Sequence, residues 1–232
     1  MSVGLNVDLG ELSDEDEALY SLATEVNVAC GGHAGDDASM RRALELASRQ
    51  GAVVAAHPSY ADRKGFGRRA RFASIGATRD AVEQQAAALH SIARSLGVSI
   101  RRMKPHGALY HDANCDSAMA DAVILATMRA LPALDTIVGP PTGALAEAAH
   151  ARGLSFAREG FADRRYEGDA LAPRSRPDAL LIDAEACVAQ ALALAATKRF
   201  DTLCMHGDTP GAPALVRAVR EALEATDQLE RR

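Results

Sequence analysis

Residues 98–110 read VSIRRMKPHGALY, and the break inside this stretch decides how the chain is read. Up to Met103 the run is β-rich. From Lys104 onward a lysine, a histidine and a tyrosine gather around Pro105 and Gly107. A packed core has little use for Lys104 and His106, and a plain surface turn does not need them beside Tyr110. A strand that ends in a polar, glycine-bearing turn is the pattern of parallel α/β proteins, whose chemistry collects at the C-terminal ends of the strands.

Outward from this stretch the same pattern recurs. β-rich runs cover Val3–Leu9, Glu25–Ala29, Ala52–Ala56, Val98–Met103, Leu134–Val138, Leu154–Ala157 and Thr202–Met205. Several are near-continuous apolar runs, as expected of strands covered on both faces. Between them lie helical stripes, such as Val82, Ala86, Leu89, Ala93 and Leu96, or Leu215, Val216, Val219 and Leu223. Gly51, Gly97 and Gly153 follow three helices where a left-handed C-cap is wanted, and Pro132 ends a fourth. The count is roughly seven βα units with no internal linker, so residues 1–232 read as one domain. Strict alternation predicts a parallel sheet with right-handed crossovers. No G-x-G-x-x-G turn follows the first strand and there is no P-loop, which favours a distorted β/α barrel of about seven parallel strands over an open, doubly wound sheet. The longest loops are 57–77 and 159–181.

Bulk composition excludes several classes of function. With 48% hydrophobic and 25% charged residues, the 232-residue chain reads as a soluble globular protein. Aromatics make up 4% and Trp is absent, so no platform for single-stranded nucleic acid is expected. A net charge of -5 and no basic stripe argue against nucleic-acid binding. No segment reads as a secretory signal or a bilayer span, so no membrane is expected and the cytoplasm is the expected location. Cys30, Cys115, Cys187 and Cys204 show no C-x-x-C spacing and read as reduced.

Every predicted strand but one runs into ionisable residues. Asp8 and Glu11 follow the first; Asn27, His33 and Asp36 stand in NVACGGHAGDD at the second; His57 ends the third. Lys104 and His106 follow the fourth, with Tyr110 beyond them; Glu159, Asp163 and Arg164 follow the sixth; His206 and Asp208 follow the seventh. The fifth strand, ending GPPTG, has none. Four histidines at strand exits, each beside Gly, Pro or Asp, carry the inference together, since any one alone is as readily a loop-bridging residue. Asp8, Glu11, His33, His57, Lys104, His106, Asp163 and His206 are therefore expected to converge as catalytic groups. Arg68 and Arg69 of GFGRR offer guanidiniums for a carboxylate or phosphate, though a solvated pair reads as well. Two mechanisms fit: a divalent metal on Asp8, His33 and His57 activating water, or acid–base catalysis with Lys104 stabilising developing negative charge. No H-E-x-x-H helix or serine nucleophile elbow is present. The residues alone point to a hydrolase-like enzyme for a small polar anion.

NVDLGE, NVACGGHAGDD, AAHPSYADRKGFGRR, KPHGALY, EGFADRRYEGDALAPRS and CMHGDTP resemble, in order, the motifs of the LamB/YcsF family. The resemblance runs from about residue 3 to 225. It implies a barrel related to the glycoside hydrolase/deacetylase superfamily. It also implies the A-component role in ATP-dependent opening of 5-oxo-L-proline to L-glutamate by a 5-oxoprolinase, with ATP as co-substrate, Mg accompanying it, and separate B and C subunits. Asn27, Asp36, Arg68, Arg69, Tyr110, Arg164 and Asp208 are then the expected substrate contacts. One departure is Gly32, where the family usually has Phe. A stand-alone metal-dependent amidase or deacetylase, and a regulatory module that has kept the fold without catalysis, are the alternatives.

Overall fold

Inward and outward positions alternate along the strands, and this alternation organises the molecule. In β1 (Gly4–Leu9), Leu5, Val7 and Leu9 point out and join the main apolar cluster, while Asn6 and Asp8 point in and make polar contacts across the barrel interior. Period-two alternation dictates that split once one face of a strand is committed to the core. The same holds for β2 (Glu25–Ala29), where Val26 and Val28 pack outward and Asn27 inward. The strands are thus not apolar on both faces as the sequence suggests. Their outer faces meet a ring of helices, and their inner faces line a polar interior.

The computed structural model describes residues 2–69 and 74–230, so part of the 57–77 loop, residues 70–73, lies outside the described residues. Five further strands, β3 (Val53–His57), β4 (Arg102–Met103), β5 (Thr136–Gly139), β6 (Ser155–Phe161) and β9 (Thr202–His206), complete the barrel. All seven run parallel and close in the order β1-β2-β3-β4-β5-β6-β9, as the barrel reading expects. A two-stranded antiparallel hairpin, β7 (Tyr166–Glu167) and β8 (Ala170–Leu171), stands in the loop after β6. The outer helices are α1 (Ala18–Leu22), α2 (Asp37–Arg49), α3 (Ile75–Ser95), α4 (Gly107–Cys115), α5 (Ser117–Ala130), α6 (Ala144–His150), α7 (Ala184–Ala196) and α8 (Ala212–Ala225).

Two strands differ from expectation. β4 keeps only Arg102–Met103, while the Val98 N–H closes onto the Ala93 carbonyl at the end of α3 and the Arg101 carbonyl accepts from Asp135 and Thr136. β6 runs four residues further than Ala157, with Glu159 and Phe161 paired to Thr202 and Cys204 of β9. The helix stops behave as read: Gly51, Gly97 and Gly153 take φ of 67°, 68° and 70°, where a side chain would be strained. Fully buried Leu5, Leu44 and Leu203 sit between barrel and helices, each stabilising by about 1.5–3 kcal/mol. Among the described residues no helix is long and apolar enough to cross a membrane.

Candidate active site at the mouth of the barrel

Register fixes the height of the first carboxylate. Asp8 is level with Asn27 on one neighbouring strand and with His206 on the other, so all three reach the C-terminal end of the interior together. Asn27 donates its amide to Asp8 Oδ1 at 2.7 Å and to Asn6 Oδ1 at 2.7 Å. Lys104, just past β4, donates Nζ to Asp8 Oδ1 at 2.8 Å, to Cys204 Sγ at 3.1 Å and to Asn6 Oδ1 at 3.3 Å. Glu159 Oε1 also lies 2.8 Å from Nζ, as an ion-pair partner outside hydrogen-bond alignment. Burial opposes both charges, but the His57 ring and the Lys104 ammonium hold Asp8 well below the usual carboxylate range. Burial likewise works against the Lys104 ammonium, yet Asp8, with Cys204 and Glu159 also near, keeps it well above its ordinary value. The floor of the site is a buried ion pair that stays charged at neutral pH.

His206 is the second element. Its Nδ1 lies 2.9 Å from Asp163 Oδ1, while Asp163 Oδ2 accepts from the His206 amide at 2.9 Å and from the Thr209 hydroxyl at 2.8 Å. A carboxylate on Nδ1 places the proton there, so Nε2 presents its lone pair and lies 3.9 Å from Asp8 Oδ2. Burial raises the Asp163 carboxyl, but the His206 ring and these hydrogen bonds outweigh it and hold the group below its ordinary range. Such a group adds stability above the unfolded-state value of about 4, and that stability is lost as pH falls toward the lower folded-state value. In urea unfolding followed below about pH 4, the wild type is therefore expected to lose stability more steeply than Asp163→Asn. Parallel pH profiles for the two would contradict the assignment.

The third element gathers four more residues. His33 Nε2 lies 2.8 Å from Glu11 Oε1, and His106 Nδ1 lies 3.0 Å from His57 Nε2. The His33 and His106 rings stack with centroids 3.6 Å apart. Burial and the neighbouring Asp8 carboxylate push Glu11 up to about 8, and burial pushes His33 down to about 3. Among the described residues two groups have the spacing to hold a metal: Glu11 with His33, His57 and His106, and Asp8 with Cys204 and His206. Of the expected set of Asp8, His33 and His57, the two histidines fall in the first group and Asp8 in the second. Asp8 Oδ1 meets Lys104 and Asn27 while its Oδ2 lies 3.4 Å from His57 Nε2, and Glu11 and His106 complete the group with His33 and His57.

A cavity of about 850 Å³ opens above the floor, lined by Asp8, His57, Lys104, His106, His206 and Tyr110. Among the described residues three arginines face it. Asp208 accepts from Arg68 Nη2 at 2.5 Å and from Arg174 Nη2 at 2.8 Å, so two guanidiniums share one carboxylate. Arg164 is 6% exposed and donates Nη2 to the Ala172 carbonyl at 2.8 Å, leaving its buried Nε without a partner among the described residues. The result is a cationic wall opposite the Asp8 floor, suited to a small anion.

The eight residues expected to converge do gather at this one end. Glu11, His33 and Asp163 stand behind the lining, against His57, His106 and His206. Among the expected substrate contacts, Arg68, Tyr110, Arg164 and Asp208 line the cavity and three others do not. Asn27 sits inside β2 and is spent on Asp8 and Asn6. Asp36 is the exposed N-cap of α2 in a capping box with Ser39, so its oxygen is committed to backbone. Arg69 is exposed and outside the lining, since the turn after Arg63–Gly65 aims only Arg68 inward. Sequence reasoning misses Asn6, Cys204 and Arg174. The first two stand two residues before Asp8 and His206, so strand alternation already puts them on the same face.

Gly32 has a local explanation. A Cβ there would lie 2.4 Å from Gln85 Oε1 and 2.4 Å from Ser59 Oγ. Gln85 fills the place of a larger residue, accepting from Ser59 N at 3.0 Å and donating to Ser59 O at 2.8 Å. Gly32→Phe is expected to destabilise the fold by about 1–3 kcal/mol through overpacking. Adding Gln85→Ala should relieve part of that cost, so urea unfolding of the two single variants and the double variant should be non-additive. Strict additivity would contradict the shared-space account.

The sequence model of the LamB/YcsF family matches residues 3–230. The chain belongs to the LamB/YcsF family. This LamB/YcsF chain is 45% identical over 242 residues to the A component of the 5-oxoprolinase of Methylococcus capsulatus, covering 97% of the chain and 93% of the relative. Among solved structures, the lactam utilization protein of Thermus thermophilus superposes with a TM-score of 0.89 at 35% identity, covering 100% of this chain and 99% of that one. A family 4 carbohydrate esterase from Streptomyces lividans superposes with a TM-score of 0.51 at 12% identity, covering 97% and 88% of the two chains, a likeness of fold alone.

Proposed function

We propose that this chain is the A component of a 5-oxoprolinase, which opens 5-oxo-L-proline to L-glutamate while ATP is converted to ADP and phosphate. The observation that carries this reading is the full-length likeness to proteins named as the A component of 5-oxoprolinase. The geometry supports it. The five-membered lactam is a stable amide that water attacks poorly, so its carbonyl must be activated. Phosphorylation of the lactam oxygen gives an imidate-type carbon open to attack. Water adding there, with the ring nitrogen leaving as the amine, opens the ring to an acyl phosphate. A second water then releases phosphate and glutamate.

Each role has a candidate in the cavity. The cationic wall of Arg68, Arg164 and Arg174 takes the substrate carboxylate, the anion best placed to satisfy Arg164 Nε. Lys104 faces the oxygen on which negative charge develops. His206 Nε2, its tautomer held by Asp163, takes the proton of the attacking water beside Asp8. The chain carries no P-loop, so the B and C components complete the handling of ATP.

The test follows glutamate and inorganic phosphate with the purified chain, then with its B and C counterparts added. The single chain is expected to show little or no turnover, and the complete set to release both products in step. Full ATP-dependent turnover by the chain alone would remove the partner requirement. Hydrolysis without ATP would overturn the reading in favour of a stand-alone amidase.

A further inference from the structure

The hydrogen bonds on His57 and His106 fix which of their nitrogens carry protons. His57 Nδ1 lies 2.8 Å from the Lys104 carbonyl, and His106 Nε2 lies 2.9 Å from the Phe66 carbonyl. A carbonyl only accepts, so the ring proton of each neutral histidine sits on that side. The remaining nitrogens, His57 Nε2 and His106 Nδ1, then present lone pairs to each other across 3.0 Å. Two facing lone pairs repel unless a cation lies against both. Glu11 Oε1 closes the same space, 3.5 Å from His106 Nδ1 and 3.9 Å from His57 Nε2, and His33 Nε2 stands 2.8 Å from that oxygen.

We infer that Glu11, His33, His57 and His106 form a site for one resident divalent cation of the zinc type, independent of the identity of the substrate. Bonds of about 2.0–2.1 Å in a tetrahedron put neighbouring donor atoms about 3.3 Å apart. The separations from Glu11 Oε1 to the three histidines and from His57 to His106 run from 2.8 to 3.9 Å and bracket that edge, and all four donors lie within 4.8 Å of one another. Imidazole and carboxylate donors suit such an ion. A histidine ligand whose other N–H is held by a backbone carbonyl is the usual outer-shell arrangement around a metal, and His57 and His106 both have it. His33 has no such anchor among the described residues, where its Nδ1 finds no partner. The second group, Asp8 with Cys204 and His206, is poorer. The Lys104 ammonium already donates to both Asp8 and Cys204 and would repel a dication. Four protein donors make the site a closed one, which ties together the loops after β1 and β2, the end of β3 and the turn after β4.

The test needs no substrate. The full chain is stripped with a chelator and titrated with Zn2+ and with Co2+, following heat, the Co2+ absorption spectrum and the thermal unfolding midpoint. One equivalent is expected to bind, with a tetrahedral Co2+ spectrum and a raised midpoint. His106→Ala and His57→Ala should each weaken binding by at least about 100-fold, and Cys204→Ser should leave it unchanged. Where an alanine variant fails to fold, His106→Gln serves in its place. Absence of stoichiometric binding by the wild type, or loss of binding in Cys204→Ser but not in the histidine variants, would overturn the inference. A proton shared between the two rings would give the former result.

Discussion

Lys104→Met is expected to lower turnover by at least about 100-fold and, in the same variant, to destabilise the fold by about 3–5 kcal/mol. The sequence alone suggests a catalytic lysine that could be removed with the fold intact. The structure adds a second consequence. Lys104 is 2% exposed and stands between Asp8 and Glu159, each 2.8 Å from its Nζ. Methionine keeps most of the apolar stem but strands two buried carboxylates without a counter-charge. Breaking a buried pair from one side is strongly destabilising, because the charge left behind has no water to solvate it. Adding Glu159→Gln to Lys104→Met removes one of the two stranded charges and should recover part of the stability without recovering turnover. Urea unfolding of the single and double variants, set beside their turnover in the complete assembly, separates the two effects. A Lys104→Met protein as stable as the wild type would mean that the floor is not a charged pair.

The barrel was legible in the sequence because its signals are local. Each strand runs into a glycine-bearing polar turn, and Gly51, Gly97 and Gly153 stop their helices in the left-handed region. The exits of β1, β3, β4 and β9 therefore located Asp8, His57, Lys104 and His206 correctly at one end. What the apolar appearance of the strands concealed is the polar interior. Leu5, Val7 and Leu9 dominate the eye, yet Asn6 shares the inner face with Asp8, and Cys204 shares it with His206. Strict use of the two-residue period recovers both.

Other misses are non-local. Arg174 reaches Asp208 only because the β7–β8 hairpin turns the chain back over the mouth, and no spacing announces that return. Asp36 is the opposite case. Its relation to Ser39, three residues on, is a helix-start signal, and the capping box accounts for it without a ligand. Glu11 reads as a strand-exit acid in the sequence. Its place against His33 and His106, away from Lys104, depends on loops that only the closed barrel brings together.

In the proposed reaction the ring is opened in this chain, at the floor where Asp8 meets Lys104 and His206. The most direct measurement is the rate of 5-oxoproline-dependent glutamate formation by the assembled A, B and C components in which only this chain carries Asp8→Asn. Asparagine keeps the shape and can still accept from Lys104 and Asn27, and Lys104 keeps Glu159 as its counter-ion. The assembly should therefore form and elute as the wild type does. Loss of the carboxylate beside His206 Nε2 removes the charge that supports proton transfer from water. A fall of at least about 100-fold in glutamate formation is predicted. A rate within a few-fold of the wild type would place the ring opening in another component and contradict the proposed role of this floor.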